Sequence, residues 1–270
     1  MTKKLWQASL KQKRNSNLFE FEKFLANKFR YIPKKNYKKL FNWTIKNPKL
    51  FWSSIWEYSN LKGNKNDKFY FPKEIIKSKF LVKSTLNFTE NLLSKNDNSK
   101  AVTFISENGY REEKSWKELN KNTFKLINFL KEIKIKEKDR VAAYTANQIE
   151  TVESFLATSA IGAIWSSCSP DFGTQGVMER FSQIKPKLLI ITDRYYYNGK
   201  EINVLERLPI ILKKIKSIKN VLIINYPSKK NLKQKKIKGV KIFYYNKLKD
   251  KKEKKITFKK FDFDKELAIL

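Results

Sequence analysis

Two periodicities divide the chain. In residues 1–98 apolar residues recur at helical spacing: Leu18, Phe21, Phe24 and Leu25, then Phe41 and Ile45, then Phe51, Ile55 and Trp56. Asn47-Pro48 interrupts the last two groups, and Asn47 is placed to cap a new helix there. Strand character is sparse until Lys79-Phe80-Leu81-Val82, and the polar cluster Ser94–Ser99 reads as a boundary loop. The aromatic residues Trp43, Trp52 and Trp56 are expected in a core.

From about residue 99 the pattern alternates. Strands are expected at Ala101–Ile105, Val141–Thr145, Ile161–Ser167, Leu188–Thr192, Val221–Asn225 and Val240–Tyr244. Helices are expected at Ile149–Ser159, Gln175–Gln183 and Glu201–Ile215. Another opens after Ser115, with Glu118 completing a capping box, and runs to about Ile133. Glu107–Tyr110 is a turn, and residues 229–260 are a Lys-dense solvated excursion. Apolar strands alternating with amphipathic helices predict an α/β fold: a mainly parallel sheet with helices on both faces, preceded by a mostly helical extension. The expected domains are 1–98 and 99–270.

Composition narrows the function classes. The chain has 270 residues, 41% of them hydrophobic, enough for a real core. The formal net charge of +33 invites a nucleic-acid reading, but only seven of the 59 basic residues are Arg. The lysines are spread along the chain rather than gathered on one element, so no nucleic-acid partner is expected. Cys168 is the one cysteine, which excludes an intrachain disulfide and fits a cytoplasmic location. Without a His partner it is expected to be a buried, inert thiol. The absence of His excludes His-based catalysis and His metal ligands within this chain. No apolar signal region follows Met1, and the longest uncharged run, Ser154–Pro170, is shorter than the roughly 20 residues of a membrane span. No membrane partner is expected.

General nucleotide motifs are absent: no Walker loop, no Gly-x-Gly-x-x-Gly, and only seven glycines in all. No segment offers a backbone cradle for a polyphosphate.

The run Gly162-Ala163-Ile164-Trp165-Ser166-Ser167-Cys168-Ser169-Pro170-Asp171-Phe172-Gly173 resembles the corresponding run of the acetoacetyl-CoA synthetases, within the adenylate-forming superfamily. Further segments resemble the family in order: Asn47–Trp52, Leu86–Leu93, Lys138–Tyr144, Gln148–Val152, Glu179–Phe181, Gln183–Lys187 and Tyr197–Lys200. The resemblance implies an acid–thiol ligase. A carboxylate and ATP give an acyl-adenylate and pyrophosphate with Mg²⁺, and coenzyme A then displaces AMP. It also implies that Phe261–Leu270 leads up to a phosphate loop lying beyond Leu270, as do the catalytic lysine and the nucleotide contacts. No catalytic residue is therefore assigned. This chain alone is expected to be inactive, to hold neither ATP, CoA nor Mg²⁺ tightly, and to require a missing C-terminal half. Lys200 aligns with a basic residue that meets the CoA phosphates in acetyl-CoA synthetases, and Tyr197 stands where a second would be. Asp171 is expected to cap the helix after Gly173, or else to brace a pocket. Trp165 is a core aromatic or borders the acyl pocket. The competing readings are an acetyl- or propionyl-CoA synthetase fragment, and a non-catalytic remnant or interaction module.

Overall fold

Local capping chemistry starts several of the helices. In the computed structural model, which describes residues 5–29, 31, 36–228, 232, 236–248 and 256–270, Ser9 opens α1 (Leu10–Arg14) with a complete capping box to Gln12. Next come α2 (Asn17–Phe29), α3 (Tyr37–Lys46) and α4 (Pro48–Tyr58). Asn36 caps α3 by accepting from Lys39 N–H. Asn47 does not cap α4 through its side chain. Its Nδ2 instead donates to Trp43 O at 3.0 Å, adding to the bond that the Asn47 N–H makes to the same carbonyl of α3, and Pro48 starts α4 with its fixed φ. The interior of this region is Phe21, Leu25, Tyr31 and Leu40, packed by Phe24, Trp43, Phe51 and Ile55. Trp56 is buried, whereas Trp52 lies 38% exposed against the edges of Phe51 and Phe80, so it is not the core residue expected.

β1 (Gly63–Asn64) and β2 (Thr85–Leu86) form an antiparallel pair. The strand expected at Lys79–Val82 is not formed. Lys79 makes a single bridge to Tyr70, and the chain then turns through Leu81 and Lys83 at φ of 46° and 65°. Leu81 is buried by that turn, and its burial outweighs the extended preference of the apolar run.

The chain folds as two compact units, residues 1–86 with 262–264, and residues 87–261 with 265–270. The second unit opens with α5 (Phe88–Leu92), capped by Asn87, and an antiparallel hairpin, β3 (Lys100–Ile105) and β4 (Arg111–Ser115). Ser115 and Glu118 form the predicted capping box of α6 (Trp116–Glu132). Then follow β5 (Arg140–Tyr144), α7 (Ile149–Ala160), β6 (Ile164–Cys168), α8 (Thr174–Ile184) and β7 (Leu188–Thr192). The hairpin β8 (Arg194–Tyr197) and β9 (Lys200–Asn203) precedes α9 (Leu208–Lys214), β10 (Asn220–Ile224), β11 (Lys241–Tyr244) and α10 (Tyr245–Leu248). Of the excursion expected at 229–260, residues 229–231, 233–235 and 249–255 lie outside the described residues.

The five parallel strands are ordered β11-β10-β7-β5-β6. Alternate strand residues supply two cores, as the period of two requires. Ala142, Tyr144, Leu189, Ile191, Val221 and Ile223 pack under α8 and α9, against Val177, Phe181, Leu208 and Ile211. Val141, Ala143, Leu188, Ile190, Leu222 and Ile224 pack under α6, α7 and α10, against Leu126, Phe129, Leu130, Ala157 and Leu248. This is the predicted parallel sheet with helices on both faces. Beyond β6, residues 267–269 run parallel to it: Trp165 N–H donates to Leu267 O at 3.1 Å, and Ile269 N–H donates to Trp165 O at 2.8 Å.

One helix expectation fails. Glu201–Ile215 is not continuously helical, since residues 200–203 are β9 and α9 begins only at Leu208. Asn198 and Gly199, at φ of 51° and 71°, make the two-residue turn that reverses β8 into β9. Asn-Gly suits that turn because both central residues need positive φ.

Behind the sheet, Lys114 of β4 is buried among carboxylates. Its Nζ lies 3.3 Å from Glu153, 3.4 Å from Glu150 and 3.6 Å from Glu112. Fully buried Glu153 also accepts from Asn122 Nδ2 at 2.9 Å and from the Tyr245 hydroxyl. Burial alone works to lower the Lys114 pKa, but Glu153, Glu150 and Glu112 outweigh it and hold the pKa above the ordinary lysine value. Burial, and then the Glu153 charge, push Tyr245 well above the ordinary tyrosine value, and burial also raises Tyr144, Tyr195 and Tyr226. All these groups hold the proton more firmly in the folded state. The stability they add is complete below their unfolded pKa values, about 10, and is lost as pH climbs through the folded values. Denaturant titrations between pH 8 and pH 11 are expected to show unfolding free energy falling above pH 10, with a shallower fall in Tyr245→Phe. A flat profile to pH 11 would contradict the assignment.

Candidate functional site

The chain leaves β5 toward β6 on one side and then crosses to β7 on the other, so the strand order reverses at β5. In open α/β sheets the crevice beyond the carboxyl ends at such a point is the usual ligand position. A cavity of about 300 Å³ lies there. Its wall is built from three consecutive stretches that follow or end strands: Thr145–Asn147 after β5, Ser167–Asp171 at the end of β6, and Tyr195–Tyr197 in β8, with Thr151 and Tyr226 closing it.

The wall is polar and mostly satisfied. Ser169 Oγ donates to Asp171 Oδ2 at 2.8 Å, and Asp171 also meets the Tyr195 hydroxyl. Asp171 therefore does not cap α8. Gly173 takes the N-cap position without a side-chain bond, and Asp171 braces the cavity instead. Thr145 stands apart: the residue is 6% exposed, and its Oγ1 has no hydrogen-bond partner among the described residues. An unpaired buried hydroxyl is costly unless a ligand or water completes it. Cys168 lines the same cavity at 5% exposure, and burial pushes its thiol up, consistent with an inert side chain. Trp165 faces the core, edge-on to Phe155, and is not part of the wall.

Tyr197 and Lys200 are register partners across the Asn198-Gly199 turn, so their side chains share one face of the hairpin. Tyr197 reaches the cavity; Lys200 is exposed and does not line it. At the hairpin tip Asn198 N–H donates to Glu107 Oε1 at 3.2 Å, which sets a carboxylate beside the expected phosphate contact. A second, larger cavity of about 790 Å³ shares Tyr196 and Tyr226 and is faced by Glu112, Glu150 and Glu201. Nothing in the linear sequence pointed to it, because its acidic residues come from β4, α7 and β9.

The chain's residues fit the implied ligands unevenly. The cavity offers a free hydroxyl and tyrosine faces, suitable for a polar, flexible arm. For polyphosphate there is no cradle: the glycines are scattered, and none of the seven lines the cavity. Among the described residues no group of three or more His, Cys, Asp or Glu is arranged to hold a metal ion.

Comparison with known proteins bears on the whole of this unit. The family model described as AMP-binding enzyme matches residues 90–257. The chain is 34% identical over 233 residues to an acetoacetyl-CoA synthetase of Gallus gallus, covering 83% of this chain and 34% of that protein. It is 38% identical over 181 residues to the acetoacetyl-coenzyme A synthetase of Rhizobium meliloti, covering 67% and 28%. It spans about a third of the length of such relatives. Among solved structures, acetoacetyl-CoA synthetase from Streptomyces lividans superposes with a TM-score of 0.88 at 23% identity, covering all of this chain and 41% of that one, which establishes the shared fold. The parallel sheet, the cavity beyond its carboxyl ends and the family match over 90–257 lead to one assignment: this chain belongs to the AMP-binding enzyme family.

Proposed function

We propose that the chain is the N-terminal part of an ATP-dependent acyl-CoA ligase whose acid is acetoacetate. The observation that carries this reading is the similarity to acetoacetyl-CoA synthetases of both a bird and a bacterium, at 34% and 38% identity. In the reaction a carboxylate oxygen attacks the α-phosphorus of ATP and pyrophosphate leaves. The CoA thiolate then attacks the acyl carbon and AMP leaves.

Within that scheme this chain contributes to CoA rather than to ATP. The Lys200 ammonium, with Tyr197 beside it, meets the nucleotide phosphates of CoA at the edge of the cavity. Thr145 Oγ1 completes its hydrogen bonding with the ligand's polar arm. Charge stabilisation at the transferring phosphorus comes from a phosphate loop that these 270 residues do not contain, so the chain alone is inactive. We propose a cytoplasmic location from the single cysteine; among the described residues no helix is long and apolar enough to cross a membrane.

The test is ATP–pyrophosphate exchange with Mg²⁺ and acetoacetate or acetate, by the chain alone and by the chain mixed with the C-terminal two thirds of the Rhizobium meliloti relative. Exchange only on mixing, with acetoacetate preferred, is the expected result. Exchange by the lone chain would overturn the inactivity, and a preference for acetate would move the acid to acetyl-CoA synthetase chemistry. Silence in both mixtures from a soluble, monodisperse chain would favour an interaction module instead.

A further inference from the structure

Ser169–Asp171, in the loop Ser169–Phe172, form one wall of the 300 Å³ cavity, and the loop is held from outside by a residue that does not line the cavity. Arg207 ends the short 3₁₀ turn Leu205–Arg207 before α9. Its Nη1 lies 2.9 Å from Pro170 O and 3.1 Å from Phe172 O, and it also contacts the Tyr144 hydroxyl. Tyr144, at the end of β5, approaches the same two carbonyls, at 3.1 and 2.5 Å, and the Arg207 guanidinium lies 5.9 Å from its ring centroid. Two loop carbonyls are thus gathered onto one cation and one phenol.

We propose that Arg207 is a positioning residue for this cavity: by clamping the Pro170 and Phe172 carbonyls it fixes the wall that covers Cys168 and shapes the ligand space. The ligand named, CoA, rests on the function proposed above; the clamp does not. Two features favour a positioning role over general bracing. The bonds converge on a four-residue loop rather than on a helix or strand. The loop directly follows the cavity residue Cys168. A comparable guanidinium, Arg140, performs the same kind of bracing at the opposite, amino end of β5, bonding Ile184 O at 2.7 Å, Lys138 O at 3.1 Å and Lys185 O at 3.4 Å. Arg140 therefore serves as a matched control remote from the cavity.

Cys168 supplies the readout, since it is the chain's one thiol, lies on the cavity wall and is only 5% exposed. The experiment measures the rate of iodoacetamide alkylation of the folded full chain at fixed pH, without ligand, in wild type, Arg207→Met, Arg207→Lys and Arg140→Met. Alkylation in Arg207→Met is expected to be at least tenfold faster than in wild type. Arg207→Lys should restore most of the protection, because an ammonium can still donate to both carbonyls. Arg140→Met should react at the wild-type rate. Equal acceleration in Arg207→Met and Arg140→Met would mean general loosening and would overturn the proposal, as would an unchanged rate in Arg207→Met. If Arg207→Met does not fold, the Arg207→Lys rate against Arg140→Met decides, with a rise of about threefold expected only in the former. The same assay with millimolar CoA separates the two claims. CoA should slow alkylation of the wild type, and the half-protecting concentration should rise in Arg207→Met. If CoA does not protect the wild type, the ligand assignment falls, while the ligand-free rates still decide the role of Arg207.

Discussion

Replacing Lys114 with Met is expected to destabilise the α/β unit by about 3–5 kcal/mol, the usual consequence of removing one partner from a buried ion pair. The size follows from what stays behind. Glu153 is fully buried on α7, and Glu150 one turn earlier is nearly so, with Lys114 Nζ as the cation within 3.4 Å of both. Met fills the aliphatic space but leaves Glu153 poorly solvated beside Glu150, which borders the larger cavity. Asn122 and Tyr245 still donate to Glu153, but burial already raises its pKa and Lys114 is the main charge holding it down, so the variant must bury an unpaired charge or take up a proton there. Adding Glu153→Gln to Lys114→Met should recover more than half of the loss, since the amide oxygen keeps an acceptor without the charge. Amide hydrogen exchange of β5 and β7 reports this unit directly. A loss below about 1 kcal/mol would show that water reaches the cluster and that the pair is an ordinary surface one.

Gly162→Ala is expected to cost about 2–4 kcal/mol, from two independent sources. Gly162 sits at φ +69° where α7 turns into β6, a left-handed conformation that a Cβ disfavours by about 1–2 kcal/mol. The added methyl would also fall 2.6 Å from the Phe261 ring, closer than real carbon contacts allow. The ring cannot be displaced freely, because Phe261 is buried. A second substitution, Phe261→Leu, separates the two sources. It should relieve the steric part and leave the backbone part, so that the double variant is more stable than Gly162→Ala alone. If thermal unfolding of Gly162→Ala matched the wild type, the turn would be adjustable and both terms would be wrong.

Elements whose cause is local were legible in the sequence. Ser115 and Glu118 announce α6 because a capping box spans four residues. Leu188–Thr192 announces β7 because a strand covered on both faces must be apolar throughout. The errors share a different origin. Glu201–Ile215 has enough apolar spacing for a helix, yet Asn198-Gly199 just before it commits the chain to a hairpin, a local turn signal that overrides the periodicity. Asn47 stands at a helix junction and can serve either end; its side chain doubles the bond its backbone N–H already makes to Trp43 O, which spacing does not reveal. Lys79–Val82 reads as a strand, but among the described residues no partner strand lies along its length. The site was partly legible. The run Gly162–Gly173 directed attention to the end of β6, and Tyr197 does reach the cavity. Thr145 and Arg207 were missed because their roles depend on where three strands place their loops, information that no single stretch carries. Lys200, singled out by its alignment with a basic residue of acetyl-CoA synthetases, lies beside the cavity wall rather than in it.

The pairing of residues 267–269 with Trp165 has a consequence in time. β6 is an outer strand whose second edge is covered by a segment about a hundred residues later in the chain. Synthesis at about 5–20 residues per second leaves that edge bare for about 5–20 s after β6 itself has been made. Through that interval the uncharged strand Ile164–Cys168 is open to pairing with any neighbouring nascent chain. Slower translation of residues 170–266 would lengthen the interval in proportion. The yield of soluble chain should therefore depend on codon speed in a region that contributes nothing to the edge it leaves uncovered.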